Sequence, residues 1–296
     1  MLWVCATVPR LAPASTFRVA SYNLENYLDV PGETRPAKSS EAKAKVCESI
    51  LAIRPNVLAL QEMGSSNALA QLRQDLSRGG LEFNFSEQIT GPDTNIHLVV
   101  LSQFPISASH PHTNENFLLG GRRFRVSRGF AELDIRVSAT YSFTLLAAHL
   151  KSKRAAFAAD EAELRLEEAR LLREKIDARL AANPNLNLLV AGDFNDTRDS
   201  PPLRTIIGRG KCKLVDTRPA ERNGDSGGSG AGDSRTVTWT HYYSKEDTYQ
   251  RIDYILVSPA MAREWVRSET YVLTMPDWGL ASDHRPLVAG FEMEDQ

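Results

Sequence analysis

Two periodicities divide the chain. Apolar residues that alternate, or follow one another without a break over four to eight positions, read as strands; apolar residues three and four apart read as helices. Residues 17–23 (FRVASYN) alternate enough for a strand. Residues 41–53 place Ala42, Val46, Ile50 and Ile53 on one helical face before Pro55 stops them. Residues 57–62 (VLALQE) form the apolar run of a strand buried on both faces. Beyond them, 67–76 reads as helix, 82–86, 96–102 and 106–110 as strands, and 128–137 with 141–149 as a hairpin.

One long amphipathic helix is predicted over 155–182, with Phe157, Leu164, Leu171, Leu172, Ile176 and Leu180 as its apolar stripe and Pro184 beyond its end. Residues 186–193, 251–257 and 286–291 complete the strands. Strands outnumber helices, and the helices separate groups of strands. This pattern predicts two β-sheets packed face to face with helices outside, an α+β class. Residues 223–234, rich in Gly, Ser and Asp, read as a flexible surface loop.

Composition adds limits. With 296 residues and 42% hydrophobic content the chain can build a large core. The 35 basic and 37 acidic residues leave a net charge of −2, not the basic excess of a protein that tracks a nucleic-acid backbone along a groove. A polyanion would have to be gripped locally, through metal ions or a few arginines. Cys5, Cys47 and Cys212 form no disulfide framework or thiolate metal motif. No run approaches the roughly 18 apolar residues of a membrane span. Residues 1–8 are apolar and 11–15 end in small residues, like the tail of an export signal. Residues 1–16 are therefore expected to be a terminal tail or signal remnant, 17–292 the folded domain and 293–296 a short tail. Export to the periplasm or the outside is the expectation that follows.

The chemistry gathers where strands end. VASYN closes on Asn23, LALQE on Glu62, LLAAH on His149, and LLVAGDFN on Asp193 and Asn195. Asp253 sits between Ile252 and Tyr254, and Asp283 and His284 precede the last strand. Each has an ordinary reading: a strand-end Asn or Asp forms turns, a lone Glu caps a helix, a lone His is satisfied in the core. Asp253 resists that reading, because a carboxylate between apolar neighbours is costly to desolvate without a partner; His284 is the candidate. Together these residues offer hard oxygen ligands for Mg²⁺ or Mn²⁺, one ion or two, and imidazoles to exchange protons or contact phosphate. That is equipment for hydrolysing phosphate esters.

At these residues the sequence resembles the endonuclease/exonuclease/phosphatase superfamily. Six motifs occur in its order across residues 17–292: SYNLEN, LALQE, AAHLKS, GDFND, RIDYIL and SDHRP. The forms HLKS and SYNLENY look most like bacterial extracellular nucleases. The resemblance implies a four-layer αββα sandwich of two mixed sheets flanked by helices, with the site where the sheets open at one edge. It implies that Glu62 is the main metal ligand, helped by Asn23 and Asp283, with a second metal position at Asp193. Asp193 and Asn195 would orient the attacking water. His284, paired with Asp253, would be general base or phosphate stabiliser, and His149 a donor to the phosphate. Which of Asp193 and His284 takes the proton stays open.

The basic stretch 120–128 (GGRRFRVSR) supplies Arg128 as a candidate phosphate contact, and Lys151 follows His149 closely enough to be another. For the remaining arginines a solvated strand edge is the default, and Trp239 reads as a core aromatic rather than a base-stacking platform. The expected function is a metal-dependent phosphodiesterase, a nuclease first and a hydrolase of small phosphoesters second, acting as a monomer on nucleic acid or another phosphate ester. A non-catalytic binding module on the same fold would be expected to have lost some of these ligands, and none is missing.

Overall fold

The structure, a computed structural model, describes residues 16–33, 35–155, 158–222 and 238–293. The expected leader, the Gly/Ser loop 223–234 and Phe157 lie outside the described residues. The strands are β1 (Thr16–Tyr27), β2 (Val57–Met63), β3 (Phe85–Ile89), β4 (His97–Ser102), β5 (Ile106–Ser109), β6 (Asn116–Leu119), β7 (Arg122–Arg125), β8 (Phe130–Arg136), β9 (Ser142–His149), β10 (Leu188–Asp193), β11 (Val215–Asp216), β12 (Ala220–Arg222), β13 (His241–Tyr243), β14 (Thr248–Gln250), β15 (Asp253–Val257), β16 (Trp265–Leu273) and β17 (Leu287–Glu292). The helices are α1 (Ser40–Ile53), α2 (Ser66–Arg78), α3 (Glu161–Ala182), α4 (Pro201–Ile207) and α5 (Trp278–Ala281).

One sheet runs β12-β16-β17-β1-β2-β4-β3, the other β11-β15-β10-β9-β8-β5; β6-β7 and β13-β14 are separate hairpins. Both large sheets mix parallel and antiparallel pairs, as β1 with β2 and with β17. The apolar residues sort into three clusters, which is why four layers form. Residues 17 and 19 of β1, 57 and 59 of β2, 145 and 147 of β9, 189 and 191 of β10, and 255 and 257 of β15 point into one cluster between the sheets. Their neighbours one step along point outward. Ala20, Tyr22, Leu58 and Leu60 meet α1 and α2 through Val46, Ile50, Leu69 and Leu72. Leu146, Ala148, Leu188 and Val190 meet α3 and α4 through Leu172, Ile176, Leu180, Leu203 and Ile206. A central strand with two dry faces must be apolar at successive positions, so its run shows no alternation.

Several boundaries move. Helix α3 begins at Glu161, not at 155, because the Asp160 side chain accepts from the amides of Ala162 and Glu163 and caps it there. Of the expected stripe, Leu164, Leu172, Ile176 and Leu180 are buried, while Leu171 packs only partly against the core. The strand expected at 82–86 lies at Phe85–Ile89. The hairpin of β8 and β9 pairs Phe130 with Ala148 through Arg136 with Ser142, so Arg128 precedes the strand it was expected to open. Gly129, at φ +68°, separates the two, and a Cβ there would lie 2.7 Å from the His112 carbonyl oxygen. β6, β7, β13, β14 and β16 carry too little apolar periodicity to be read from sequence.

Candidate active site

The inter-sheet face continues past the apolar core into polar residues. Counting by twos from the residues that fill the central cluster, β1 leads from Val19 through Ser21 to Asn23, β9 from Ala147 to His149, β10 from Ala191 to Asp193, and β15 back from Ile255 to Asp253. The strand period therefore aims all four side chains into the layer between the sheets at one end. Register places three in a row: Asp193 pairs with His149 across the parallel β9–β10 ladder and with Asp253 across the antiparallel β10–β15 ladder. Gly192 makes this possible. Its φ is +146°, and a Cβ would sit 1.8 Å from the Ala148 carbonyl oxygen, so only glycine fits.

Glu62 reaches the same place against its parity. It falls on the outward face of β2, but its φ of 62° and a register break between Leu60 and Met63 turn it round. Its Oε2 accepts from the Asn26 amide at 2.9 Å. The Asn23 amide nitrogen spans the sheets, 2.9 Å from Asp193 Oδ2 and 3.4 Å from Glu62 Oε1. Asn195, also in the left-handed region at φ 54°, donates its backbone N–H to Asp193 Oδ1 at 2.8 Å and its side chain to the Leu150 carbonyl at 3.1 Å. His149 Nε2 lies 3.4 Å from Asp193 Oδ2 and 3.8 Å from Glu62 Oε1.

His284 closes the opposite side. Its Nδ1 is 2.8 Å from Asp253 Oδ2, the partner expected from sequence, and its Nε2 is 3.8 Å from Asp193 Oδ2. Thr240 Oγ1 accepts from the amides of Ile252 and Asp253, both at 3.1 Å, which fixes the start of β15. Ser282 Oγ accepts from the His284 amide and donates to the Asn23 carbonyl, locking the SDH turn to β1. Asp283 was expected to help Glu62. Its carboxylate instead lies beside imidazoles, 3.8 Å from His284 Nε2 and 3.6 Å from His241 Nε2, while its amide donates to Glu25 Oε2.

Burial separates the proton affinities of these groups. Asp193, fully buried, is pushed up to about 7, against the lowering pull of His284 and its hydrogen bonds from Asn195 and Asn23. Burial pulls His284 down, but the carboxylates of Asp253 and Asp193 overcome it and raise the imidazole well above the usual range. Burial, with Arg128 and His284 nearby, holds His149 well below that range and therefore neutral. Burial would raise Asp283, but His241 and His284 hold it below the ordinary value.

Carboxylates outnumber cations here: Glu25, Glu62, Asp193, Asp253 and Asp283 stand against the Lys38 ammonium and the His284 imidazolium, so a further cation would favour the entry of a phosphate. Glu62 and Asp193 are hard donors of the kind Mg²⁺ and Mn²⁺ prefer, with no cysteine among them; the Asn23 amide oxygen accepts from the Glu25 backbone amide at 3.0 Å, and a turn of the amide would bring it to the carboxylates as a third.

The two expected phosphate contacts part company. Arg128 is buried and donates to the Leu150 carbonyl at 3.0 Å, directly behind His149. The Lys151 ammonium turns away, donating to the carbonyls of Ser152 and Arg154. His241 and Glu25 are at the site but were not expected there. The motif SYNLEN contains Glu25, whereas His241 lies in a hairpin that no apolar pattern reveals. Trp239 is half-buried, with the Arg285 guanidinium 3.4 Å above its ring. Tyr249 and Trp278 meet it edge-on, and Tyr249 in turn stacks with Tyr242. Tyr249 and Tyr243 are exposed on this rim, 53% and 39%.

Comparison with known proteins gives one consistent answer. The model of the Endonuclease/Exonuclease/phosphatase family matches residues 20–284. No curated protein matches the sequence. Solved structures do. Truncated TDP2 of Caenorhabditis elegans is similar at TM-score 0.64 and 17% identity, covering 94% of this chain and 98% of that one. The human Nocturnin catalytic domain, solved with bound sulfate, is similar at TM-score 0.64 and 16% identity, covering 94% and 95%. Sphingomyelinase C of Streptomyces griseocarneus is similar at TM-score 0.60 and 17% identity, covering 94% and 100%. At such identities the structures speak for the fold alone.

Proposed function

This chain belongs to the endonuclease/exonuclease/phosphatase family of metal-dependent phosphoesterases, and from that premise we propose that it is a phosphodiesterase whose substrate is nucleic acid. The observation that carries hydrolysis is the convergence of Glu62, Asn23, His149, Asp193, Asn195, Asp253 and His284 at the open end of the inter-sheet layer. What favours nucleic acid is the rim. Exposed Tyr243 stacks on His241 beside His284, where a base can stack, whereas Tyr249 lies on the other face of the same hairpin against Tyr242 and Trp239. Arg122, Arg123 and Arg125 of the β7 strand precede Arg128 closely in the chain and can meet neighbouring phosphates.

Glu62 would hold a Mg²⁺ or Mn²⁺ ion together with Asn23 once its amide oxygen turns to face it, with Asp193 next to them as a second position. Bound there, such an ion would polarise a phosphate oxygen and offset charge on the leaving oxygen. The protein's own groups divide the remaining work. Asp193 and Asn195 orient the attacking water, and Asp193, raised towards neutrality by burial, accepts its proton. His284, held by Asp253 as an imidazolium, donates to the phosphate as negative charge develops, and neutral His149 donates from the other side. Arg128 fixes the chain where it leaves β9, through the Leu150 carbonyl next to His149.

Purified protein assayed on single-stranded DNA, double-stranded DNA, RNA, sphingomyelin and inositol phosphates, with Mg²⁺, Mn²⁺ or EDTA, tests this reading. Cation-dependent cleavage of a polynucleotide supports it. Turnover of the lipid or the inositol phosphates alone would assign the second reading, a hydrolase of small phosphoesters. No turnover of anything would refute both.

A further inference from the structure

His241, Asp283 and His284 lie together at the edge of the site, and one donor atom of each falls within 4.8 Å of the other two. Nothing in the proposed chemistry uses His241. It is placed by backbone: the Tyr242 amide donates to the Asp283 carbonyl at 2.9 Å, and His241 forms an isolated β-bridge with His284. Its ring is held by stacking, 4.6 Å from the His284 centroid and 6.4 Å from that of Tyr243. Its Nδ1 is buried without a hydrogen-bond partner, and its Nε2 stands 3.6 Å from Asp283 Oδ2, longer than a good hydrogen bond.

These distances suit a different occupant. Ligand atoms around a tetrahedral ion with bonds near 2.0–2.1 Å are about 3.4 Å apart. The two carboxylate–imidazole separations here are 3.6 Å to Oδ2 and 3.8 Å to Oδ1 of Asp283, so a turn of the carboxylate that brings one oxygen between the two rings would close all three groups onto one ion. Two imidazole nitrogens and one carboxylate select a borderline transition metal such as zinc, whereas Mg²⁺ prefers the oxygens around Glu62. Asp253 on the Nδ1 of His284 supplies the outer partner that orients a metal-binding imidazole.

We propose that His241, Asp283 and His284 form a second, nitrogen-rich metal site that takes zinc, and that a zinc ion there shuts the enzyme down by displacing the proton of His284 Nε2 into solvent and taking its place. Binding is independent of the assigned substrate; only the inhibition rests on the phosphodiesterase reading. The site would make activity sensitive to traces of zinc in the presence of ample Mg²⁺.

The test is zinc chloride titrated against a zinc-chelating dye, on protein whose thiols have first been alkylated and with Mg²⁺ saturating. The wild type should take up one tight equivalent. His241→Asn should bind it at least about tenfold more weakly, as loss of a ligand predicts. Asp283→Asn should weaken it too, with thermal melts showing both variants folded. On whichever substrate the panel identifies, the zinc concentration giving half inhibition should rise in His241→Asn by the same factor. Unchanged zinc affinity in His241→Asn overturns the proposal. So does zinc affinity that is lost in Glu62→Gln but kept in His241→Asn, which would place the ion at the oxygen site. If no phosphoester is turned over, the dye titration still decides whether the site exists.

Discussion

Single residues carry unequal burdens in this site, and the differences are measurable. Glu62→Gln keeps shape and removes charge, so the Mg²⁺ concentration for half-maximal rate should rise at least about tenfold; an unchanged titration would remove Glu62 from the ligands. His284→Ala should lower kcat by roughly 10²–10⁴ with the fold intact, checked by steady-state kinetics beside circular dichroism. Gly192→Ala is different in kind. The new methyl must push β9 away from β10 and accept a strained φ, so the loss should be in stability, roughly 2–4 kcal/mol by denaturant titration. Asp193 gives a pH signature in EDTA. Its folded pKa of about 7 lies above the ordinary 3.8. The unfolded chain therefore releases this proton first as pH rises, and the group's contribution to stability falls between those values. Asp193→Asn should flatten the decline in melting temperature between pH 4 and pH 7, and a wild-type slope that the substitution leaves alone would contradict the assignment.

Among elements, those that were legible in sequence are the ones with two dry faces. β2, β9 and β10 showed as unbroken apolar runs, and the polar residue closing each run marked the site. The long helix was legible from its 3.6-residue stripe, though not its start, because Asp160 as cap outweighs the apolar residues before it. Three things were hidden. Glu62 faces the site only through a bulge, which no alternation encodes; His241 rides on a three-residue strand; and Asp283 turns to imidazoles because the SDH turn is pinned to β1 by Ser282. Sheet order was equally hidden, since sequence shows which faces are apolar but not which strands are neighbours. The β13–β14 hairpin gives the prediction at this scale. Tyr243→Ala should raise KM for single-stranded DNA several-fold, as the loss of base stacking requires, while leaving turnover of a small aryl phosphodiester unaltered. Equal effects on both substrates would show the tyrosine to be structural.

At the scale of the whole molecule, a net charge of −2 means that the nucleic-acid substrate proposed above would be held at a few points. If Arg122, Arg123 and Arg125 are those points, about three phosphates are neutralised. The logarithm of KM for single-stranded DNA should then rise against the logarithm of KCl concentration with a slope near 2 at fixed Mg²⁺. A slope several times larger would mean a wider basic footprint than this rim offers. The row of His149, Asp193 and Asp253 has a last consequence. These three residues are spaced by the hydrogen-bond ladders of adjoining strands rather than by loops, so heat cannot loosen them piecemeal. Inactivation and melting, followed together on a temperature ramp, should coincide within a degree or two by the per-residue enthalpy of a cooperative domain, with no folded but silent enzyme in between.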